Sequence, residues 1–196
     1  MNKKYEFVDG DTKIVFGVKV RRIRALVAIG VMVSTGDLGG YIEKEKNLDV
    51  SDNAWVSGDA RVSGDARVSG NALVSGNAWV SDNALVSGNA WVSDNAQVYG
   101  DAQVYGYARV YGDAQVSGDA LVSGDKAIFW ASKVGRDNGT LTVFSGKDGI
   151  IVTRGCFIGS VDEFLANSEK VHDEETHWEY RLLLAVAENR IKKGSV

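Results

Sequence analysis

Between Val50 and Asp125 the chain repeats a six-residue unit, Ala-x-Val-Ser/Tyr-Gly/Asp-Asp/Asn, with no insertion or deletion. Val holds thirteen consecutive positions of this frame, from Val50 to Val122, and Ala holds twelve, from Ala54 to Ala120. Within Ala54-Trp55-Val56 the order is small apolar, variable, large apolar, which is the two-residue period of a strand with one face buried. Each such strand runs into Ser-Gly-Asp or Ser-Asp-Asn, residues that adopt left-handed backbone angles at low cost and so favour turns. A helix is excluded, because six-residue spacing walks Val around the helix and sets Gly in every second turn. Short strands bent at regular corners predict a solenoid whose coils pair with those above and below.

Outside this stretch the pattern changes. Tyr5–Val8 and Lys13–Phe16 read as two strands of a hairpin around the turn Asp9-Gly10-Asp11. Val18 to Val33 supports two readings: Val20, Ile23, Leu26 and Val27 have helical spacing, whereas the Val-rich run Leu26–Val33 suits a buried strand. Leu38, Ile42, Leu48 and Val50 fall on inward positions of the hexad frame, so residues from 36 onward read as a degenerate first coil that caps the rod. After Asp125 the period ends. Ala127–Val134, Thr140–Phe144 and Ile150–Thr153 read as strands joined by Gly-containing turns. Ser160-Val-Asp-Glu163 and Thr176-His-Trp-Glu179 fit capping boxes opening two helices, the second running to Ile191. The expected organisation is mainly β: an N-terminal β-rich cap (1–35), a β-helical rod (36–125) and a C-terminal α+β domain (126–196).

The unit resembles the hexapeptide repeat of left-handed parallel β-helices, and the three-hexad coil of eighteen residues that this resemblance implies sorts the rod's surface into columns. One outward column reads Trp55, Leu73, Trp91, Arg109; the second Arg61, Trp79, Gln97, Gln115; the third Arg67, Leu85, Gln103, Leu121. The first is an apolar stripe on a rod, and such stripes mark interfaces. It is expected to join copies of the chain into a trimer or dimer, or to bind another protein. The next outward position is Ser except at Tyr99, Tyr105 and Tyr111, one per face, which with Tyr107 form an aromatic ring. That ring reads either as a contact girdle or as packing against a terminal domain. Asn53, Asn71 and Asn89 align as a corner ladder of amides, a structural feature. Asp65, Asp101 and Asp119 share another corner with Asn83, where a solvated column is the expectation and Ca²⁺ the alternative.

Charge narrows the partners. The net charge is −4, and it is concentrated in residues 51–125, where nine Asp face three Arg. Direct nucleic-acid binding is not expected from such a balance. Arg21, Arg22 and Arg24 form a local basic cluster, able to bind an acidic partner or simply to be solvated. One cysteine, Cys156, excludes an internal disulfide and suits a reducing compartment. It sits beside Phe157 and Ile158, so a buried, inert thiol is expected. No signal-peptide pattern and no apolar run near eighteen residues occurs, so neither export nor a membrane span is expected.

The hexad resembles the repeat of left-handed parallel β-helices, in which three hexads make a triangular coil, an aliphatic residue fills the prism and a small residue sits two places before it. That resemblance implies the left-handed sense. Arg22-Ile-Arg-Ala-Leu26, Gly36-Asp-Leu-Gly-Gly-Tyr-Ile-Glu43 and Asn47-Leu48, with Asn138-Gly-Thr140, Gly155-Cys-Phe157 and Glu163-Phe164, resemble the flanks of a bacteriophage and prophage hexapeptide-rod family. The resemblance implies a phage protein acting in the cytoplasm of a bacterial host cell. The known hexapeptide-rod enzymes are acyltransferases with a catalytic His, or γ-type carbonic anhydrases that hold zinc by three His. This rod contains no His and no loop that leaves its frame, so neither chemistry is expected from it. His172 and His177 flank Asp173-Glu-Glu175 as a solvated acidic linker, with a metal site as the alternative. No enzyme activity and no cofactor are expected. The reading is a non-enzymatic binding scaffold for a host protein complex, possible targets including a defence system. Its contact residues are Trp55, Leu73, Trp91, Trp79, Tyr99, Tyr105, Tyr111 and the three arginines. The alternatives are an acyltransferase-like enzyme or a virion structural protein.

Overall fold

The computed structural model describes residues 3–192. Its centre is a β-solenoid built from twelve two-residue strands, β4 (Trp55–Val56) to β15 (Leu121–Val122), one every six residues. Each strand pairs in parallel with the one eighteen residues away, as Trp91–Val92 does with Leu73–Val74 and with Arg109–Val110. Three faces result, and with the N-terminal segments the rod has about five turns. Every Ala from Ala54 to Ala120 and every Val from Val56 to Val122 is sealed inside. Small Ala near each corner and larger Val at mid-strand fill the interior, so the packing is set by the repeat itself.

The corners show why the hexad carries Gly. Gly58, Gly64, Gly70 and Gly76, among others, sit at φ near +65°, where a side chain is strained. A Cβ on Gly76 would lie 2.8 Å from the backbone nitrogen of Asp94 in the next coil. Asp82 and Asp94 occupy the same corner conformation at φ 58°. Their carboxylates accept from the amides of Gly100 and Gly112 at 3.1 Å, a bond to the next coil that offsets the strain. Ala offers no such bond. Gly76→Ala should therefore cost about 2–3 kcal/mol, through left-handed strain and the contact with the coil beyond. Thermal unfolding checks this, and an unchanged midpoint would remove the steric account.

Side-chain ladders run along the corners as well. Asn53 donates to Asn71 at 3.0 Å, and Asn71 to Asn89 at 3.1 Å. Asn83 donates to the Asp101 carboxylate at 2.9 Å. A third ladder, Asn77 to Asn95 to Asp113, completes the set.

The N-terminal region departs from expectation in three ways. β1 is one strand, Tyr5–Val15, antiparallel to β2 (Val18–Ala25), and its register shifts between Phe7 and Thr12. Asp9-Gly10-Asp11 thus make a bulge, not the turn. The chain reverses at Phe16-Gly17, where two successive positive φ values (48° and 81°) supply the hairpin geometry. Second, Leu26–Val33 is neither helix nor buried strand: Leu26, Val27, Val31 and Met32 are exposed, while an Ile29–Val33 bridge and the bond from the Leu26 amide to Lys4 O order the loop. Third, β3 (Leu38–Ile42) pairs antiparallel with β2 and parallel with the rod strand Arg61–Val62. Of the four positions that the hexad frame places inside, Ile42 and Leu48 are buried, but Leu38 and Val50 face outward. The first turn is irregular, and the hexad frame does not extend back through it. Among the described residues before the rod, Tyr5, Ile23, Ala25 and Ile29 join the rod's own hydrophobic interior.

At the far end, β16 (Ile128–Val134), β17 (Gly139–Gly146), β18 (Gly149–Arg154) and β19 (Phe157–Ser160) form an antiparallel sheet. The fourth strand was not anticipated. α1 (Val161–Val171) opens on the expected capping box of Ser160 and Glu163. α2 (Glu174–Lys192) begins earlier than expected, because the Asp173 carboxylate accepts from the Thr176 amide at 2.8 Å. Asp173 takes the capping role, and Thr176 is buried inside the helix. The sheet plugs the rod through Ile128 and Phe144, and Thr142 and Thr153 bond to the Gln115 backbone at 3.1 and 2.8 Å.

Candidate functional site

The column Trp55–Leu73–Trp91–Arg109 is in register as expected, yet it is not a continuous exposed stripe. Trp55 is only 3% exposed. Gly39 of β3 lies so close that a Cβ there would approach the indole to 2.7 Å, so the irregular first turn covers this tryptophan. Leu73 is half-buried, and Trp91 is 45% exposed. The Trp91 indole N–H donates to Ser75 Oγ at 3.1 Å, and the Arg109 guanidinium lies 6.0 Å from its ring.

The two ends of the molecule turn this face into a trough. Toward the N-terminus, Met32, Val33 and Leu38 stand beside Trp55, Leu73 and Trp91, around about 410 Å³ of open space. Toward the C-terminus, Arg109, Tyr111, Phe129, Trp130 and Arg190 enclose about 700 Å³ with Trp91, Asp94 and Asp125. Trp91 belongs to both hollows. The floor of the trough is held by parallel ladders that join Trp55, Leu73, Trp91 and Arg109 coil to coil. The walls are mixed: apolar at one end, and aromatic with two guanidinium groups and two carboxylates at the other. Met32, Phe129, Trp130 and Arg190 were not anticipated as site residues. For Met32 the nearest signal is the Val-rich run Leu26–Val33, which one of its two readings makes a buried strand.

The remaining expected contact residues are dispersed. Trp79 lies under the hairpin tip, with the Phe16 ring stacked on it at 4.9 Å. Tyr111 meets Trp130 edge-on at 4.4 Å, so one member of the tyrosine ring packs against the C-terminal domain. Tyr99 is half-buried, while Tyr105 and Tyr107 stay exposed on other surfaces. The basic cluster is consumed internally. Arg21 stacks on Phe7 at 3.4 Å, Arg22 pairs with Asp11 at 2.9 Å and donates to Gly39 O and Tyr41 OH, and Arg24 pairs with Glu6 at 3.4 Å. Lys13, with Arg22 and Arg61 beyond it, holds the Asp59 carboxyl below its ordinary range. Lys13 and Arg22, through Asp59 and the Gly39 and Gly58 carbonyls, tie the hairpin to the rod.

Cys156 is exposed, contrary to expectation. It follows Gly155 (φ 59°) in the turn between β18 and β19, and its side chain escapes the sheet. His172 ends α1 with its ring 5.6 Å from that of Tyr180, and His177 Nδ1 lies 3.2 Å from Ser168 Oγ. Among the described residues no group of three His, Cys, Asp or Glu is arranged to hold a metal ion. Among the described residues no helix is long and apolar enough to cross a membrane.

No curated protein matches the chain. The YdcK beta-solenoid repeat model matches residues 66–82, 78–94, 96–112 and 114–126, which lie in the regular part of the rod and reach neither end of the chain.

Proposed function

We propose that the protein is a non-enzymatic binding scaffold whose trough around Trp91 grips a host protein assembly. The observation that carries this reading is Trp91 itself. It is a large aromatic ring, half exposed and pinned by a hydrogen bond to Ser75, at the junction of two hollows on a rigid face. Rigid surfaces lose little entropy on binding, and buried Trp and Arg anchors dominate interface energies. In this reading the rod is the left-handed hexapeptide type, the chain is of phage type, and it works in the cytoplasm of the bacterial host. A defence complex is the class of target that such a setting favours.

The test is affinity capture from host lysate, comparing the native chain with Trp91→Glu and Arg109→Glu. Far-ultraviolet circular dichroism should show all three equally folded, since both side chains point outward. A partner held by the native chain and reduced at least about tenfold by either change is the expected result. Equal capture by all three, or capture of no partner, overturns the assignment of the trough.

A further inference from the structure

Helix α2 has two apolar faces, and the fold uses one. Thr176, Tyr180, Leu184, Ala187 and Ile191 are buried against the C-terminal sheet and α1. On the opposite side Trp178, Leu182, Ala185 and Val186 face solvent, with Trp178 and Leu182 54% and 53% exposed. Trp178, Leu182, Ala185 and Asn189 follow one another at four, three and four residues. That is the seam spacing of two helices packed side by side. A surface helix that needed only to cover its own domain would carry polar residues there.

Charge selects the occupant. The outer side of α2 begins with Glu174 and Glu175 and ends with Arg190. None of these three forms an ion pair among the described residues. A helix acidic at its start and basic at its end is complementary to itself when reversed. We propose that α2 packs antiparallel against α2 of a second copy, about a two-fold axis near Leu182. Leu182 then meets the partner's Leu182, and Trp178 lies over the partner's Ala185 and Val186, large against small. Glu175 comes beside the partner's Arg190. A parallel pair would instead set Trp178 on Trp178, acid on acid and base on base. The seam is one helix of 19 residues, about 28 Å long, so the interface is small and the dimer dissociates in the micromolar range.

This self-pairing can fail or hold apart from the trough reading, because Trp178 and Leu182 lie outside both hollows, and of the seam residues used here Arg190 alone also lines one of them. Sedimentation equilibrium of the full chain, from about 1 to 200 µM, should show a reversible step from the 21.1 kDa chain to twice that mass. Leu182→Glu should weaken the dimer at least tenfold with an unchanged circular dichroism spectrum. Glu175→Arg should weaken it at low salt, and adding Arg190→Glu in the same chain should restore it. A Leu182→Cys variant in a Cys156→Ser background should oxidise to a disulfide-linked dimer, since a residue on a two-fold axis meets itself. Monomer at every concentration, a trimer, or a dimer untouched by folded Leu182→Glu would each overturn the proposal, as would failure of the cysteine variant to cross-link.

Discussion

Val86→Asp should prevent the rod from folding. Val86 is fully buried and sits in register between Val68 and Val104 of the neighbouring coils. A carboxylate there meets only aliphatic side chains and has no cation within the prism. A buried unpaired charge costs more than about 4 kcal/mol even after the site takes up a proton. The whole stability of a domain this size is about 5–15 kcal/mol. The defect also lies mid-rod, so both halves lose their neighbour across that coil. Val86→Ala is the calibrating variant. It removes two methyl groups and leaves a small cavity, so about 2–3 kcal/mol is lost and a folded protein with a lower melting point remains. Circular dichroism and thermal unfolding of the two variants decide the matter, and a fully folded Val86→Asp protein would contradict the packing described.

The second large effect is expected at Lys4. Its ammonium donates to the backbone carbonyls of Asp49, Asp52 and Ala54 at 3.0, 2.6 and 2.7 Å, and the residue is almost wholly buried. These carbonyls belong to the irregular start of the rod, where the strand ladder does not yet supply donors. One tetrahedral ammonium with three N–H groups satisfies all three. Burial pulls the Lys4 pKa below its ordinary value, while Asp49 and Asp52 oppose that shift. Lys4→Met keeps the stem and deletes the donors. The carbonyls then need water or remain bare, at about 1–3 kcal/mol for each that stays dry. A net loss of about 2–4 kcal/mol follows. Hydrogen exchange should locate it, with the Trp55 and Ser57 amides of the first regular coil exchanging faster than those at Gln97. Exchange unchanged at Trp55 would show that Lys4 does not hold the start of the rod. Lys4→Arg should recover only part of the loss, because a planar fork does not match three converging carbonyls.

Neither residue is equally visible beforehand. Val86 can be assigned from its repeat alone. Nothing near Lys4 in the chain marks it, since its acceptors lie 45 to 50 positions away. The same contrast divides the candidate site. Trp91 and Arg109 fall into one column by counting in eighteens, and the column exists. Trp55 belongs to that column equally well, yet Gly39 and the first turn bury it. Trp79 is covered by Phe16 from a hairpin whose reversal point was misplaced by local turn residues. Exposure of an outward residue depends on what lies over it, and the covering segments have no period to count.

The amino-acid sequence by itself determined the six-residue unit, the inward Val and Ala and the Ser160 cap, and its resemblance to triangular β-helices added the eighteen-residue coil and with it the Asn53 corner ladder. Each of these rests on contacts at a fixed separation, either within a few residues or one coil away, so repetition of the letters is repetition of the geometry. Tertiary structure alone decided the rest. It turned Leu38 and Val50 outward, spent Arg21, Arg22 and Arg24 on internal partners, put Cys156 at a turn, and left Trp91 open between two overhanging ends. Those outcomes come from single, unrepeated contacts between distant segments, in which burial and charge pairing are settled by where the folded chain happens to bring each group.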